Sequence, residues 1–326
     1  MKICIFGMGA VGGHFGARLA AAGHDVSAIA RGENLAALRL DGVTLHSQGE
    51  TITAPVRASD NSEDLGVQDV VISTLKANSL TDLANGIAPL LGPDTPVIFA
   101  QNGIPWWYDV GLSSDRPAPP DLGKLDPGGM LRRAVTPERV IGGIINSPNE
   151  MTTPGVVQHT SPRQSVLSIG EPDDRDSDRT AELRAVLQAA GLISETIADI
   201  RQTIWSKLVI NMTASTLSLL TGHQVSVIRK QARVRALYPR VAQEAISIAA
   251  AHGIALDFDP QAHIERVPDH TPSIQQDYER GRPMELDSML FVPLAFGAAA
   301  GVDTPCLDMI AALAAVQAQD KGLYEA

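Results

Sequence analysis

With 326 residues, 44% of them apolar, and a formal charge of −11, the chain is long enough for two hydrophobic cores. Its average field is the wrong sign for nucleic acid or an anionic membrane surface, so no partner of either kind is expected and small soluble ligands are favoured. The only two cysteines, Cys4 and Cys306, stand at opposite ends without CxxC or Cys/His spacing, which argues against a disulfide framework or a zinc ribbon, predicts no metal site and suits a reducing cytoplasm.

The first stretch, Lys2-Ile-Cys-Ile-Phe, is predicted to be a strand. It runs into Gly7-Met8-Gly9-Ala10-Val11-Gly12 and a small-residue helix over 12–22 that stops at Gly23. Strand, tight turn and helix in this order fit a dinucleotide-binding turn. Gly7 allows the sharp turn, Gly9 lets backbone N–H groups approach a pyrophosphate, and Gly12 lets the helix lie close on the strand. Orphan first-turn donors and the helix dipole favour an anion there without a basic side chain. The glycines, His14 and Arg18 also break any apolar core of a signal peptide, and no uncharged run approaches the ~20 residues of a membrane helix.

A second strand over 24–30 ends at Arg31. An acid at this place would hold a ribose 2′-hydroxyl, whereas an arginine accommodates a 2′-phosphate, so NADPH is expected before NADH, with Glu33 as the alternative ribose ligand. Residues 41–57 alternate between turn signals and read as a peripheral hairpin insertion. A strand over 69–75 is followed by Lys76 and a helix to about residue 91, and a strand over 97–100 ends in Gln101-Asn102-Gly103. Gly7, Arg31, Lys76 and Asn102 therefore follow the carboxyl ends of successive strands, where open α/β sheets bind ligands.

Residues 111–136, rich in Pro, Asp and Gly, read as a long loop. Strands resume at 140–146, 155–159 and 165–169, and a helix covers 180–190. From 199 onward the pattern is helical, over 201–219, 227–252, 271–279, 284–301 and 305–319. The expected architecture is α/β: an N-terminal Rossmann-type dinucleotide-binding domain over 1–198, then an all-α C-terminal substrate and catalytic domain over 199–326.

Within the helix 201–215, Lys207, Asn211 and Ser215 recur at i, i+4 and i+8 and share one face. An ammonium there could protonate a nascent alkoxide while an amide and a hydroxyl orient a carboxylate; a solvated helix face accounts for the same spacing. Glu285, opening a later helix, is by itself an ordinary first-turn acid favoured by the dipole.

Taken together, the N-terminal Gly7–Gly12 motif, Leu75-Lys76, Gln101-Asn102-Gly103, Trp205-Ser-Lys207-Leu-Val-Ile-Asn211, and Ser273 followed twelve residues later by Glu285 resemble the ketopantoate reductase (2-dehydropantoate 2-reductase) family along essentially the whole chain. The resemblance implies a Rossmann domain and a helical domain with a cleft between them, NADPH as cofactor, and reduction of a 2-oxo acid. It implies that Gly7, Met8, Gly9, Ala10, Val11 and Gly12 hold the pyrophosphate and that Arg31 and Lys76 lie near the 2′-phosphate. Asn102 would lie by the nicotinamide and the substrate, Lys207 would be the proton donor, and Asn211, Ser215 and Ser273 would bind substrate. Glu285 would be a catalytic acid beside the cofactor ribose. Two departures stand out: Ser215 replaces a second substrate-binding asparagine, and the run Ile104-Pro-Trp106-Trp107-Tyr108 with the 111–136 loop suggests a remodelled pocket mouth. The function implied is NADPH-dependent reduction of ketopantoate to pantoate in pantothenate biosynthesis, in the cytoplasm, with a homodimer left open. The rival readings are a related 2-hydroxyacid or 3-hydroxyacid dehydrogenase and a non-catalytic NADPH-sensing protein.

Overall fold

The β-branched and aromatic run at the start of the chain forms β1 (Lys2–Phe6), buried on both faces from Ile3 onward and therefore suited to the middle of a parallel sheet. The computed structural model describes residues 1–161, 164–267 and 271–325. Contacts divide the chain into two units, Met1–Gln101 with Gly128–Ile200, and Asn102–Pro127 with the residues from Arg201 onward. The sequence reading drew one boundary, after residue 198.

In the first unit, β1 leads through the glycine turn into α1 (Ala10–Ala21), then β2 (Asp25–Ile29), α2 (Gly32–Asp41), β3 (Val43–Ser47), β4 (Glu50–Ala54), β5 (Arg57–Ser59), β6 (Val70–Ser73), α3 (Leu80–Gly86) and β7 (Val97–Ala100). After the excursion into the second unit come α4 (Met130–Ala134), β8 (Val140–Asn146), β9 (Asn149–Thr153), β10 (Val156–His159), β11 (Val166–Gly170) and α5 (Asp178–Ala189). The main sheet runs β11-β8-β7-β6-β1-β2-β5. All its pairings are parallel except that of β11 with β8. Strand order reverses between β1 and β6, so the glycine turn stands at the topological switch point.

A second sheet, in the order β4-β3-β10-β9, covers the other side of α1. Residues 43–54, expected to be a peripheral hairpin, do form one, but Val43, Leu45 and Ala54 lie in the core with Val157 of β10. They are buried because α1 is a filling between two sheets. A Cβ on Gly12 would strike Ile5 at 2.8 Å on one side, and a Cβ on Gly13 would strike Val157 at 2.7 Å on the other. The small residues of α1 are thus explained by two-sided burial.

In the second unit, among the described residues, every regular element is helical: α6 (Ile200–Ile210), a π-helical turn Asn211–Ser215, α7 (Thr216–Thr221), α8 (Val225–Lys230), α9 (Ala232–Ala251), α10 (Pro260–Arg266), α11 (Ser273–Glu279), a second π-helical turn Asp287–Phe291, α12 (Val292–Ala299) and α13 (Pro305–Asp320). Ile200 itself is grouped with the first unit. The segment that follows β7 joins these helices. Arg201 is fully buried and donates to the carbonyls of Tyr108 and Val110, and the Trp205 indole donates to the Tyr108 hydroxyl at 2.9 Å. Trp106, Trp107 and Tyr108 are at most 2% exposed. The expectation that this run remodels a pocket mouth is corrected: it is core, because a buried guanidinium fixes its backbone from behind. Among the described residues no helix is long and apolar enough to cross a membrane.

Candidate functional site

Gly7 adopts φ +96° and lies against Leu75, where a Cβ would approach the leucine side chain to 2.6 Å. A larger residue here meets both backbone strain and a clash. The Thr74 hydroxyl donates to the Gly7 carbonyl at 2.6 Å, and the Asn34 amide donates to the Met8 carbonyl at 2.7 Å while accepting from the Gly155 N–H at 2.8 Å. The turn is therefore held on both flanks by side chains that sequence reasoning passed over.

Gly9 is different. A Cβ there meets nothing nearer than the Gly7 carbonyl at 4.0 Å, so its freedom from a side chain answers no demand of the protein interior. It is exposed at the N-cap of α1, without a side-chain cap or an acid in the first turn. An open, uncapped start to a twelve-residue helix suits an anion, and the donor set fits a pyrophosphate.

Arg31 follows β2 at the N-cap of α2, and its Nη1 donates to Asp82 Oδ2 at 3.0 Å. Lys76, half-buried, stands at the N-cap of the short 3-10 turn that leads into α3. Asp82 lies in the first turn of that helix and was not singled out from sequence.

In the second unit, Lys207 Nζ donates to Asn102 Oδ1 at 2.7 Å. Asn102 is set there by its neighbour. Gly103 has φ +80°, a Cβ on it would lie 2.4 Å from the Ser288 carbonyl oxygen, and the Ile104 N–H donates to that same carbonyl at 2.8 Å. The Gln101-Asn102-Gly103 motif is thus a joint to the π-helical turn 287–291, two residues beyond Glu285. We expect Gly103→Ala to destabilise this unit by about 2 kcal/mol or more, through positive φ and a backbone clash, and to lower activity by displacing Asn102. Urea unfolding with kcat/KM measured on the same variant checks both.

Glu285 is buried, and its charge supports the Lys207 ammonium, opposing the desolvation that lowers the lysine from 10.5 to about 8. Asn211 opens the first π-helical turn and Ser215 closes it, with Ser215 Oγ 3.5 Å from Asn211 Oδ1. The i, i+4, i+8 count assumed a regular helix; the π turn inserts extra chain per turn, and Ser215 ends up buried beside Asn211. Ser273 is exposed at the start of α11, which packs on α7 and on the Asn211–Ser215 turn. The two π turns also touch one another, and such turns are frequent at functional positions.

The sequence profile described as ketopantoate reductase PanE/ApbA matches residues 3–114, and that described as ketopantoate reductase PanE/ApbA C terminal matches residues 199–318. The 2-dehydropantoate 2-reductase of Mesorhizobium japonicum is 38% identical over 99% of this chain and 100% of its own length. A crystal structure from Ralstonia solanacearum MolK2 superposes with a TM-score of 0.90 at 38% identity, over 99% of both chains. The PanE/ApbA family ketopantoate reductase from Ralstonia eutropha JMP134 gives 0.83 at 27% identity, over 98% of this chain and 99% of that one.

Proposed function

The chain belongs to the ketopantoate reductase family, and on that premise we propose that it reduces 2-dehydropantoate to pantoate with NADPH. The observation that carries the reading is the Lys207 ammonium, partly desolvated, bonded to Asn102 and supported by Glu285. When bound, the dinucleotide supplies a hydride to the C2 carbonyl carbon. Lys207 gives a proton to the carbonyl oxygen as it becomes an alkoxide, and the product is the 2-hydroxy acid. Asn102 orients the ammonium through its amide oxygen. Asn211, Ser215 and Ser273 bind the substrate carboxylate and hydroxyl, and Glu285 keeps Lys207 protonated while lying beside the cofactor ribose. Gly7–Gly12 cradle the pyrophosphate, with Arg31 and Lys76 at the 2′-phosphate. The first domain, over 1–198, holds the nucleotide and the second, over 199–326, supplies the proton donor, with Asn102 serving beside Lys207.

A cytoplasmic location suits the two buried free thiols. A homodimer is supported by the exposed apolar stripe Met309, Leu313 and Val316 along α13.

The test is loss of NADPH absorbance with ketopantoate and a panel of 2-oxo acids. Turnover of ketopantoate is expected; binding of NADPH with no turnover of any 2-oxo acid would leave a sensor instead. Ser215 is shorter than the asparagine it replaces, and its oxygen is turned toward Asn211. We therefore expect kcat/KM for ketopantoate to exceed that for 2-oxoisovalerate by less than about 100-fold, well under the ~10⁴-fold of a site built around a substrate hydroxyl.

A further inference from the structure

We propose that Asp82 sets how strongly this chain prefers the phosphorylated dinucleotide, by holding the Arg31 guanidinium that the 2′-phosphate would otherwise engage. The inference rests on the reading of Arg31 as a 2′-phosphate ligand. Arg31 Nη1 and Asp82 Oδ2 are 3.0 Å apart, and the two side chains are 67% and 40% exposed. The pair is open to an arriving anion and, being solvated, weak enough to exchange.

Asp82 treats the two dinucleotides unequally. A 2′-phosphate must draw Arg31 away from the carboxylate, or share it, and must also approach that carboxylate's own negative charge. A 2′-hydroxyl is neutral and meets neither obstacle, since a carboxylate readily accepts its proton in a hydrogen bond. The carboxylate therefore subtracts from NADPH affinity and costs NADH nothing. Asp82 stands where the chain coming from Lys76 turns into α3, and this segment carries it to Arg31 at the end of β2. Its first-turn position also favours the dipole of α3, a structural contribution that acts equally on both cofactors.

The experiment is fluorescence titration of the full chain with NADPH and with NADH, on the unchanged protein, Asp82→Asn, Arg31→Ala and the double variant. Asp82→Asn should tighten NADPH about two- to fivefold, the size of an exposed ion pair, and shift NADH less than twofold. Arg31→Ala should weaken NADPH by about tenfold or more while sparing NADH. The gain from Asp82→Asn should shrink in the Arg31→Ala background to the part owed to direct repulsion of the phosphate. Equal shifts for both cofactors, no shift, or a gain undiminished without Arg31 would each overturn the role given to Asp82. Arg31→Ala weakening NADPH and NADH alike would instead remove the underlying 2′-phosphate reading.

Discussion

Lys207→Ala is expected to lower kcat at least ~100-fold, the low end for a lost general acid, while NADPH still binds. The ammonium is held by Asn102 at 2.7 Å in surroundings that push its pKa down to about 8, with Glu285 pulling the other way. A general acid works only while protonated. In the direction of 2-oxo acid reduction, kcat should be level below that value and fall about tenfold per pH unit above it. Removing the charge of Glu285, as in Glu285→Gln, takes away support for the ammonium and should move the falling limb to lower pH. In Lys207→Ala the limb should disappear. Near-normal kcat would take Lys207 out of the mechanism, and loss of cofactor binding would recast it as a structural or cofactor-binding residue.

The second large effect concerns stability. Arg201 is fully buried, donates twice to the Tyr108 carbonyl, at 3.0 and 2.7 Å, and once to the Val110 carbonyl at 2.7 Å, and lies 5.3 Å from the Tyr108 ring centroid. Arg201→Leu strips the buried Tyr108 carbonyl and the partly buried Val110 carbonyl of charge-assisted donors, and unmade buried bonds cost more than made ones contribute. The helical unit should lose on the order of 4 kcal/mol. Arg201→Lys should rescue little, since a single ammonium cannot reproduce the planar fork. The three tryptophans of the chain, Trp106, Trp107 and Trp205, are all buried in this unit, so intrinsic fluorescence in a urea titration reads its unfolding selectively. An unchanged midpoint would show that these bonds carry no net stability.

Some of this was legible beforehand because it depends on local pattern. β1 and β7 each hold a run of four apolar residues bounded by turn signals, and Gly7 and Gly12 answer to steric needs that any strand-turn-helix of this kind imposes. What escaped depends on partners distant in sequence. β9, Asn149–Thr153, has no apolar alternation and exists because β10 pairs with it; α2 buries only Leu35 and Leu38, too few for a helical period to stand out. The aromatic run after Asn102 reads equally as core or rim until Arg201 is found behind it. The Lys207–Asn102 pair joins residues 105 positions apart; family resemblance named each as a site residue, but neither it nor spacing joined the two. Asp82 carries no sequence signal beyond that of an acid at a helix start, and only its distance to Arg31 distinguishes it.

The placement of α1 between two sheets bears on how the chain assembles. β3 and β10 pair in parallel with Thr44 opposite Val156, so the covering sheet closes only after more than a hundred intervening residues, most of the main sheet among them, have been looped together. Until then the glycine-rich helix has one wall. The glycine-rich helix is thus expected to gain its second wall late, and backbone amides of β3, β4 and β10 should exchange with deuterium faster than those of β1, β6 and β7, as a separately opening layer over a more persistent floor.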